Sequence, residues 1–246
     1  MPDPFMNDLT RAYIPPGFRL YVIGDIHGRA DLLERLLGRI EADVSQRPGA
    51  EILYVFLGDY VDRGPASKDV IERLLTLSEE RRVVCLKGNH EAFLLDFLST
   101  PAILRDWSRF GGLTTLMSYG LRPTMQPSRD ECTEIASSLQ SAMPQAHLAF
   151  FQDLHVSLTF GDFFFVHAGV RPHVALDAQS EADLLWIRED FLLHEETFEK
   201  IVVHGHTPVF EPEVRTNRIN IDTGAYATGR LTCLVLEDNA VRFIGS

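Results

Sequence analysis

In the stretch Arg19–Gly28, RLYVIGDIHG, an apolar run ends at a glycine and polar residues follow at once. The continuous apolar residues of this run predict a short strand that is buried on both faces. The next segment, Ala30–Val44, carries apolar residues at steps of three and four, which predicts an amphipathic helix. A strand followed by such a helix is the first half of a βαβ unit.

The same order recurs twice in the first third of the chain. EILYVFLG at 51–58 precedes a helical pattern at 67–80, and VVCLKG at 83–88 precedes one at 91–99. Three strand–helix units in succession predict parallel strands in an α/β protein.

The middle of the chain, Pro101–Leu154, is polar and helix-like, and glycines and prolines interrupt it. We expect a helical cap inserted into one domain that spans residues 1–246. Short strand patterns then resume, at closer spacing. The expected fold class is therefore α/β, with two mixed β-sheets packed as a sandwich, flanked by helices and carrying the cap.

Residues that can bind metals or catalyse follow each of the first three predicted strands. The strands end in GDIHG, GDYVDRG and GNHE, which place Asp25, His27, Asp59, Asn89 and His90 just after them. Parallel strands deliver their carboxyl ends to one edge of a sheet, so we expect these side chains to converge. The plain alternative is a set of turn and helix-cap residues.

Two later strand patterns end in histidine as well: His167 in FFFVHAG, and His204 and His206 in IVVHGHT. Carboxylate, amide and imidazole ligands without thiolates suit Mn²⁺, Fe or Zn²⁺. The set is too large for one tetrahedral ion and fits a two-metal site with a shared carboxylate. Turn caps and core histidines alone do not explain why five strands end in this way.

The composition excludes some functions and favours a cytosolic enzyme. The 246 residues carry a net charge of −12 and no lysine- and arginine-rich block, so we expect neither nucleic-acid nor membrane binding. The longest apolar runs are too short to span a bilayer, and the first residues do not form a signal-peptide pattern. The three cysteines are widely spaced, which predicts reduced thiols and a cytoplasmic location.

The motifs GDIHG, GDYVDRG, GNHE, HAG and GHT together resemble the signature of the phosphoprotein phosphatase (PPP) family of binuclear metallophosphoesterases. LLWIR at 184–188 and IDTGAYATGRLT at 221–232 are similar to the bacterial serine/threonine phosphatase branch of that family. The resemblance implies the calcineurin-like metallophosphoesterase fold. It also implies two divalent metal ions, with Mn²⁺ as first choice and Fe or Zn²⁺ as alternatives.

The resemblance also implies roles for individual residues. A metal-activated water would attack phosphorus directly, without a phosphoenzyme. The implied ligands are Asp25 and His27 for the first metal, Asp59 as the bridge, and Asn89, His167 and His206 for the second.

The remaining implied roles concern the phosphoryl group. His90 would protonate the leaving group, with Asp62 orienting its ring, and Arg63 and Arg188 would hold the phosphoryl oxygens. We expect Glu91 to be only a first-turn acid favoured by the helix dipole. No match to the tyrosine-bearing C-terminal loop of the eukaryotic members is apparent.

Five further histidines complete the interpretation. We expect His204 to lie near the site without binding metal, and we read His147, His155, His173 and His194 as surface residues.

The expected function is hydrolysis of phosphomonoesters, foremost phosphoserine and phosphothreonine in proteins. The alternative with the same chemistry is symmetrical hydrolysis of diadenosine tetraphosphate. A polyphosphate substrate favours extra cations, and the predicted cap supplies few, among them Arg105 and Arg109. A catalytically inactive, metal-holding interaction module is a third hypothesis, which the intact motif set disfavours.

Overall fold

The first sheet contains the three predicted parallel strands. The computed structural model describes residues 12–124 and 126–246. Along this sheet the strands lie in the order β10 (Ala240–Gly245), β9 (Thr232–Glu237), β1 (Phe18–Ile23), β2 (Glu51–Phe56) and β3 (Val83–Cys85). Strands β1, β2 and β3 run parallel, whereas β9 pairs antiparallel with β1, and β10 with β9.

The second sheet also has a parallel centre with antiparallel edges. Its order is β4 (Ser157–Phe160), β5 (Phe163–Val166), β6 (Ile201–His204), β8 (Arg218–Asn220) and β7 (Glu213–Val214). Strands β5, β6 and β8 are parallel, and β4 and β7 form the two edges.

The helices follow the predicted pattern closely. The first two cross over between parallel strands, and a third begins at Asn89, two residues before the predicted start, so that the GNHE motif forms its first turn. In chain order they are α1 (Ala30–Gln46), α2 (Ser67–Glu80), α3 (Asn89–Ser99), α4 (Leu104–Trp107), α5 (Gly112–Ser118), α6 (Arg129–Ala142), α7 (Gln145–Gln152), α8 (Glu181–Trp186), α9 (Glu189–Leu192) and α10 (Ala225–Thr228). Helices α4–α7 fall within residues 101–154.

The hydrophobic core forms layers that confirm the expected architecture. One cluster fills the space between the sheets, including Val22, Val55 and Phe165. A second packs the first sheet against α1–α3 and the helices of 101–154, and a third packs the second sheet against α8 and α9. The result is a helix–sheet–sheet–helix sandwich, the expected fold class. Within the described ranges, no helix is long and apolar enough to cross a membrane.

Candidate metal centre

The candidate site lies where the parallel strands of both sheets end. Asp25 and Asp59 follow β1 and β2, and Asn89 begins α3 after β3. From the second sheet, His167 follows β5 and His206 follows β6. All five side chains are buried, so both sheets contribute to one enclosed polar cluster.

Asp59 stands at the centre of this cluster. Its carboxylate belongs to one group of potential metal ligands with His27 and His90, and to a second with His167 and His206. In each group the ligand atoms lie within 4.8 Å of one another. One carboxylate thus adjoins two clusters, the arrangement that a pair of ions with a shared ligand requires.

Asn89 and Asp25 lie beside the group of ligand candidates that contains His167 and His206. The Oδ1 atom of Asn89 lies 2.9 Å from Nε2 of His167 and 2.9 Å from Nδ1 of His206. Asp25 accepts a hydrogen bond of 3.1 Å from the main-chain N–H of His206, although it belongs to neither group of mutually close ligand atoms. The structure therefore brings together all six residues expected to hold metal.

Strained main chain is concentrated at the same place. Seven non-glycine residues in the described ranges have positive φ, and only His173 and Asp238 lie outside the candidate site. The other five are His27, Asp59, Asp62, Arg63 and His206. This conformation costs a non-glycine residue about 1–3 kcal/mol and persists where surrounding contacts enforce it, as at functional sites.

Burial governs the protonation of the ligand candidates. It lowers the pKa of His27 to about 3 and that of His206 to about 2, and it also lowers the pKa of His167. These imidazoles are therefore neutral at pH 7 and keep a lone pair. The pKa of Asp25 is raised by burial and by the neighbouring charges of Asp222 and Asp59.

The donor set fits divalent cations. Buried carboxylates that repel one another gain from a positive charge between them. Two polar atoms of the cluster, Oδ1 of Asp25 and Nε2 of His206, have no hydrogen-bond partner in the described structure. Buried polar atoms are rarely left without a partner, so these two favour a bound ion. Oxygen and imidazole donors without thiolate are suited to Mn²⁺, Fe and Zn²⁺.

His90 is held by Asp62 at the edge of the cluster. Its Nδ1 atom lies 2.7 Å from Oδ2 of Asp62, and its Nε2 atom lies 3.8 Å from Oδ2 of Asp59. Burial lowers the pKa of His90, but the charges of Asp59 and Asp62 outweigh burial and raise it overall. His90 is therefore suited to carrying a proton.

Two arginines border the cluster from different elements. Nη2 of Arg63 lies 3.3 Å from Nε2 of His90, and Nη1 of Arg188 donates to Thr207 at 3.1 Å. Arg188 precedes α9. The positive charge of Arg63 helps to lower the pKa of His27, and that of Arg188 helps to lower the pKa of His206. Both predicted arginines thus lie at the site.

Three residues near the cluster were not predicted from the sequence. Glu91 is fully buried, and its carboxylate accepts hydrogen bonds from the main-chain N–H groups of Asp59, Tyr60 and Gly88, at 2.8–2.9 Å. The expectation that Glu91 is only a first-turn acid was therefore wrong. The carboxylate of Glu91 links the end of strand β2 to helix α3.

Asp222 and Tyr226 come from the segment after β8. Asp222 is buried, and burial raises its pKa to about 6. The Tyr226 ring lies 5.5 Å from that of His27 and 4.6 Å from the guanidinium carbon of Arg63. The sequence did carry a signal, since Asp222 follows a strand just as Asp25 does.

An aromatic surface flanks the cluster. The Phe93 ring stacks on Phe110, with centroids 5.1 Å apart, and meets Trp186 edge-on at 5.3 Å. Phe110 and Trp186 remain about two-fifths exposed, at 40% and 39%. Their rings lie 6.4 Å from that of His90 and 6.2 Å from that of His206, respectively. We call Phe93, Phe110 and Trp186 the aromatic surface.

The other histidines differ in their surroundings. His204 is buried, packs against Phe191 with ring centroids 4.9 Å apart, and belongs to neither group of ligand candidates. His155 and His173 are exposed and His194 is half-buried. The surface interpretation was wrong for His147, which is buried and lies 2.8 Å from the Tyr119 hydroxyl.

Comparison with known proteins agrees with this geometry. The model of the calcineurin-like phosphoesterase family matches residues 18–244. The chain is 30% identical over 236 residues to the asymmetrical bis(5'-nucleosyl)-tetraphosphatase PrpE of Anoxybacillus flavithermus, covering 87% of this chain and 88% of the relative. The protein of the same name from Oceanobacillus iheyensis is 27% identical over 232 residues, with 87% of each chain covered.

A solved structure extends the comparison of the fold. A crystal structure provisionally named a diadenosine tetraphosphatase superposes with a TM-score of 0.64, covering 96% of this chain and 98% of the other. The two sequences are 20% identical, so this likeness concerns the fold alone.

Proposed function

This chain belongs to the calcineurin-like phosphoesterase family, and we propose that it hydrolyses bis(5'-nucleosyl) tetraphosphates with the help of two divalent metal ions. This proposal rests on one observation, the aromatic surface beside the cluster of metal-ligand candidates. A nucleotide offers phosphates to the cluster and a flat base to the exposed rings of Phe110 and Trp186. Phosphoserine and phosphothreonine offer no such ring.

The named relatives support the same choice of substrate over the phosphoprotein expected from the sequence. Their name also specifies asymmetrical cleavage. We therefore propose that this protein releases a nucleoside monophosphate and a nucleoside triphosphate, rather than the two diphosphates of the symmetrical reaction.

The cap offers cationic side chains for the rest of such a long substrate. Arg105 and Arg109 line a cleft of about 750 Å³, and Phe110 of the aromatic surface follows Arg109 directly in the chain. Arginine donates paired hydrogen bonds to phosphate oxygens, so this cleft suits part of a polyphosphate chain or its distal nucleoside.

The metal ions would be held by the six residues of the buried cluster. We propose Asp59 as the shared ligand, because it adjoins both groups of ligand candidates. Bound divalent ions would supply an activated water and stabilise charge on the phosphoryl oxygens. Among metals with the same ligand preferences we propose Mn²⁺. The full proposed set is Asp25 and His27 with Asp59 on one side, and Asn89, His167 and His206 with Asp59 on the other.

The remaining residues would act on the substrate directly. Arg63 and Arg188 would hold the phosphoryl oxygens, since a guanidinium stays charged and donates two parallel hydrogen bonds. His90, kept in place by Asp62, would give its proton from Nε2 to the leaving oxygen.

Product analysis tests the proposal. The protein, loaded with Mn²⁺, is incubated with diadenosine tetraphosphate, and the nucleotides are separated by ion-exchange chromatography. We expect AMP and ATP in equal amounts at early times, and no turnover by Asp59→Asn. Two molecules of ADP would contradict the asymmetrical reaction, and an intact dinucleotide would contradict the proposed substrate.

A further inference from the structure

The cap reaches into the catalytic machinery through the carboxylate of Asp62, which is fully buried. The indole N–H of Trp107 donates to Oδ2 of Asp62 at 2.6 Å, on the same oxygen that faces Nδ1 of His90. The hydroxyl of Thr115 donates to Oδ1 at 2.5 Å. Both oxygens of Asp62 are thus fixed by side chains of the cap.

The main chain at Asp62 and Arg63 depends on the same part of the cap. Both residues are in the left-handed region, with φ of 72° and 66°, which side chains disfavour. The N–H of Asp62 donates to the hydroxyl of Thr115 at 2.9 Å, and the N–H of Arg63 donates to the carbonyl of Gly111 at 3.3 Å. The cap therefore supports an unfavourable turn at two successive residues.

Gly111 shows how closely the two segments approach. Its φ is +99°, and a Cβ atom at this position would lie 2.7 Å from the main-chain nitrogen of Arg63. Only glycine adopts this positive φ without strain and also leaves room for the main chain of Arg63.

We propose that the cap segment Trp107–Thr115 is a positioning element that sets the orientation of His90 and Arg63 through the Asp62–Arg63 turn. Since Asp62 holds the ring of His90, a change at Trp107 or Thr115 moves the proton donor, although both of these residues are fully buried. Since the same segment holds the main chain of Arg63, it also sets the position of this guanidinium. The inference rests on the acid role proposed for His90 and is independent of the identity of the physiological substrate.

The leaving group provides the test, because proton donation matters most when the leaving oxygen is basic. Phenol has a pKa of about 10, so phenolate is a more basic leaving group than p-nitrophenolate and depends more on protonation. We expect Trp107→Phe and Thr115→Val to lower kcat for phenyl phosphate about tenfold or more, and kcat for p-nitrophenyl phosphate much less.

A matched control separates positioning from packing. Phe97 packs against Trp107 with ring centroids 5.2 Å apart and makes no hydrogen bond to Asp62. Phe97→Leu should therefore leave the ratio of the two rates at the wild-type value even where it lowers thermal stability. Thr115→Val is nearly isosteric, so it tests the inference even if Trp107→Phe does not fold.

A second readout concerns Arg63 and does not require turnover. Gly111→Ala should weaken the binding of inorganic phosphate about tenfold in calorimetry, because the added Cβ displaces Arg63. Equal losses on both aryl phosphates in the folded cap variants, or unchanged phosphate affinity in Gly111→Ala, would overturn the proposal.

If His90→Asn shows the leaving-group effect and the cap variants do not, the inference fails and the proposed function stands. If diadenosine tetraphosphate is not cleaved but the cap variants show the effect, the proposed substrate fails and the inference stands.

Discussion

The carboxylate of Glu91 accepts a hydrogen bond of 2.9 Å from the main-chain N–H of Asp59. An acid of helix α3 thus holds Asp59, which lies at the centre of the metal-ligand candidates. Oε1 of Glu91 also accepts from Tyr60 at 2.8 Å. Two carboxyl groups thus lie close together in the core, and burial together with the charge of Asp59 raises the pKa of Glu91 to about 8.

Glu91→Gln should destabilise the metal-free protein by about 1–3 kcal/mol, because its amide nitrogen would face a buried N–H donor. Urea unfolding measures this change. Glu131→Gln is the matched control, since Glu131 accepts from the main-chain N–H of Ser128 at an exposed helix start. Because this contact is exposed to solvent, Glu131→Gln should destabilise the protein much less than Glu91→Gln. Equal losses for the two variants would show that the buried contacts of Glu91 contribute little.

Asp59→Asn should reduce the content of both metal ions, because the proposed bridge serves both clusters. Metal analysis after dialysis provides the measurement. Asp238→Asn is an informative control: Asp238 is exposed and has φ of 51°, close to the 53° of Asp59. It should keep two ions per chain. A binuclear, fully active Asp59→Asn variant would refute the bridging role.

His90→Asn should retain its metal and lose turnover, by about 10²–10⁴-fold on substrates with a basic leaving group. A polyphosphate leaving group depends less on protonation, since the last proton of a phosphate group has a pKa of about 6. The loss should therefore be smaller for diadenosine tetraphosphate than for phenyl phosphate. Loss of metal from this variant would show instead that His90 is a ligand, as its proximity to His27 and Asp59 permits.

Trp186→Ala should raise KM for diadenosine tetraphosphate about tenfold, because stacking of a base on an aromatic ring contributes about 1–3 kcal/mol. KM for p-nitrophenyl phosphate, which lacks a base, should change less. Phe243→Ala is the control, since Phe243 is 40% exposed but lies on strand β10. Equal effects on both substrates would argue against a base on the aromatic surface.

The architecture and the convergence of the cluster were predictable because they depend on local patterns. Apolar runs and helical periodicity placed β1–β3 and their helices, and parallel strands carry their final residues to one edge. Asp25, Asp59 and Asn89 follow from that rule alone. Asp222 obeys it too, because it follows the strand Arg218–Asn220, although the candidate ligands named from the sequence do not include it.

The contacts between distant segments could not be predicted in this way. Trp107 and Thr115 meet Asp62 across 45 and 53 residues of chain, through helices whose packing no local pattern encodes. Glu91 was read from its position in a first turn, whereas its burial arises from the fit of α3 against the end of β2. Trp186 belongs to the LLWIR pattern, but its contact with Phe93 joins segments that are distant in the chain, and no local pattern predicts it.

The proposed action of this metallophosphoesterase on bis(5'-nucleosyl) tetraphosphates is tested most directly by comparing kcat/KM for two substrates. Diadenosine tetraphosphate and a phosphoserine peptide are assayed separately with the same Mn²⁺-loaded protein, by chromatography and phosphate release. We predict a kcat/KM for the dinucleotide at least about tenfold higher, a difference of about 1.4 kcal/mol in transition-state stabilisation. A higher kcat/KM for the phosphopeptide would contradict the account.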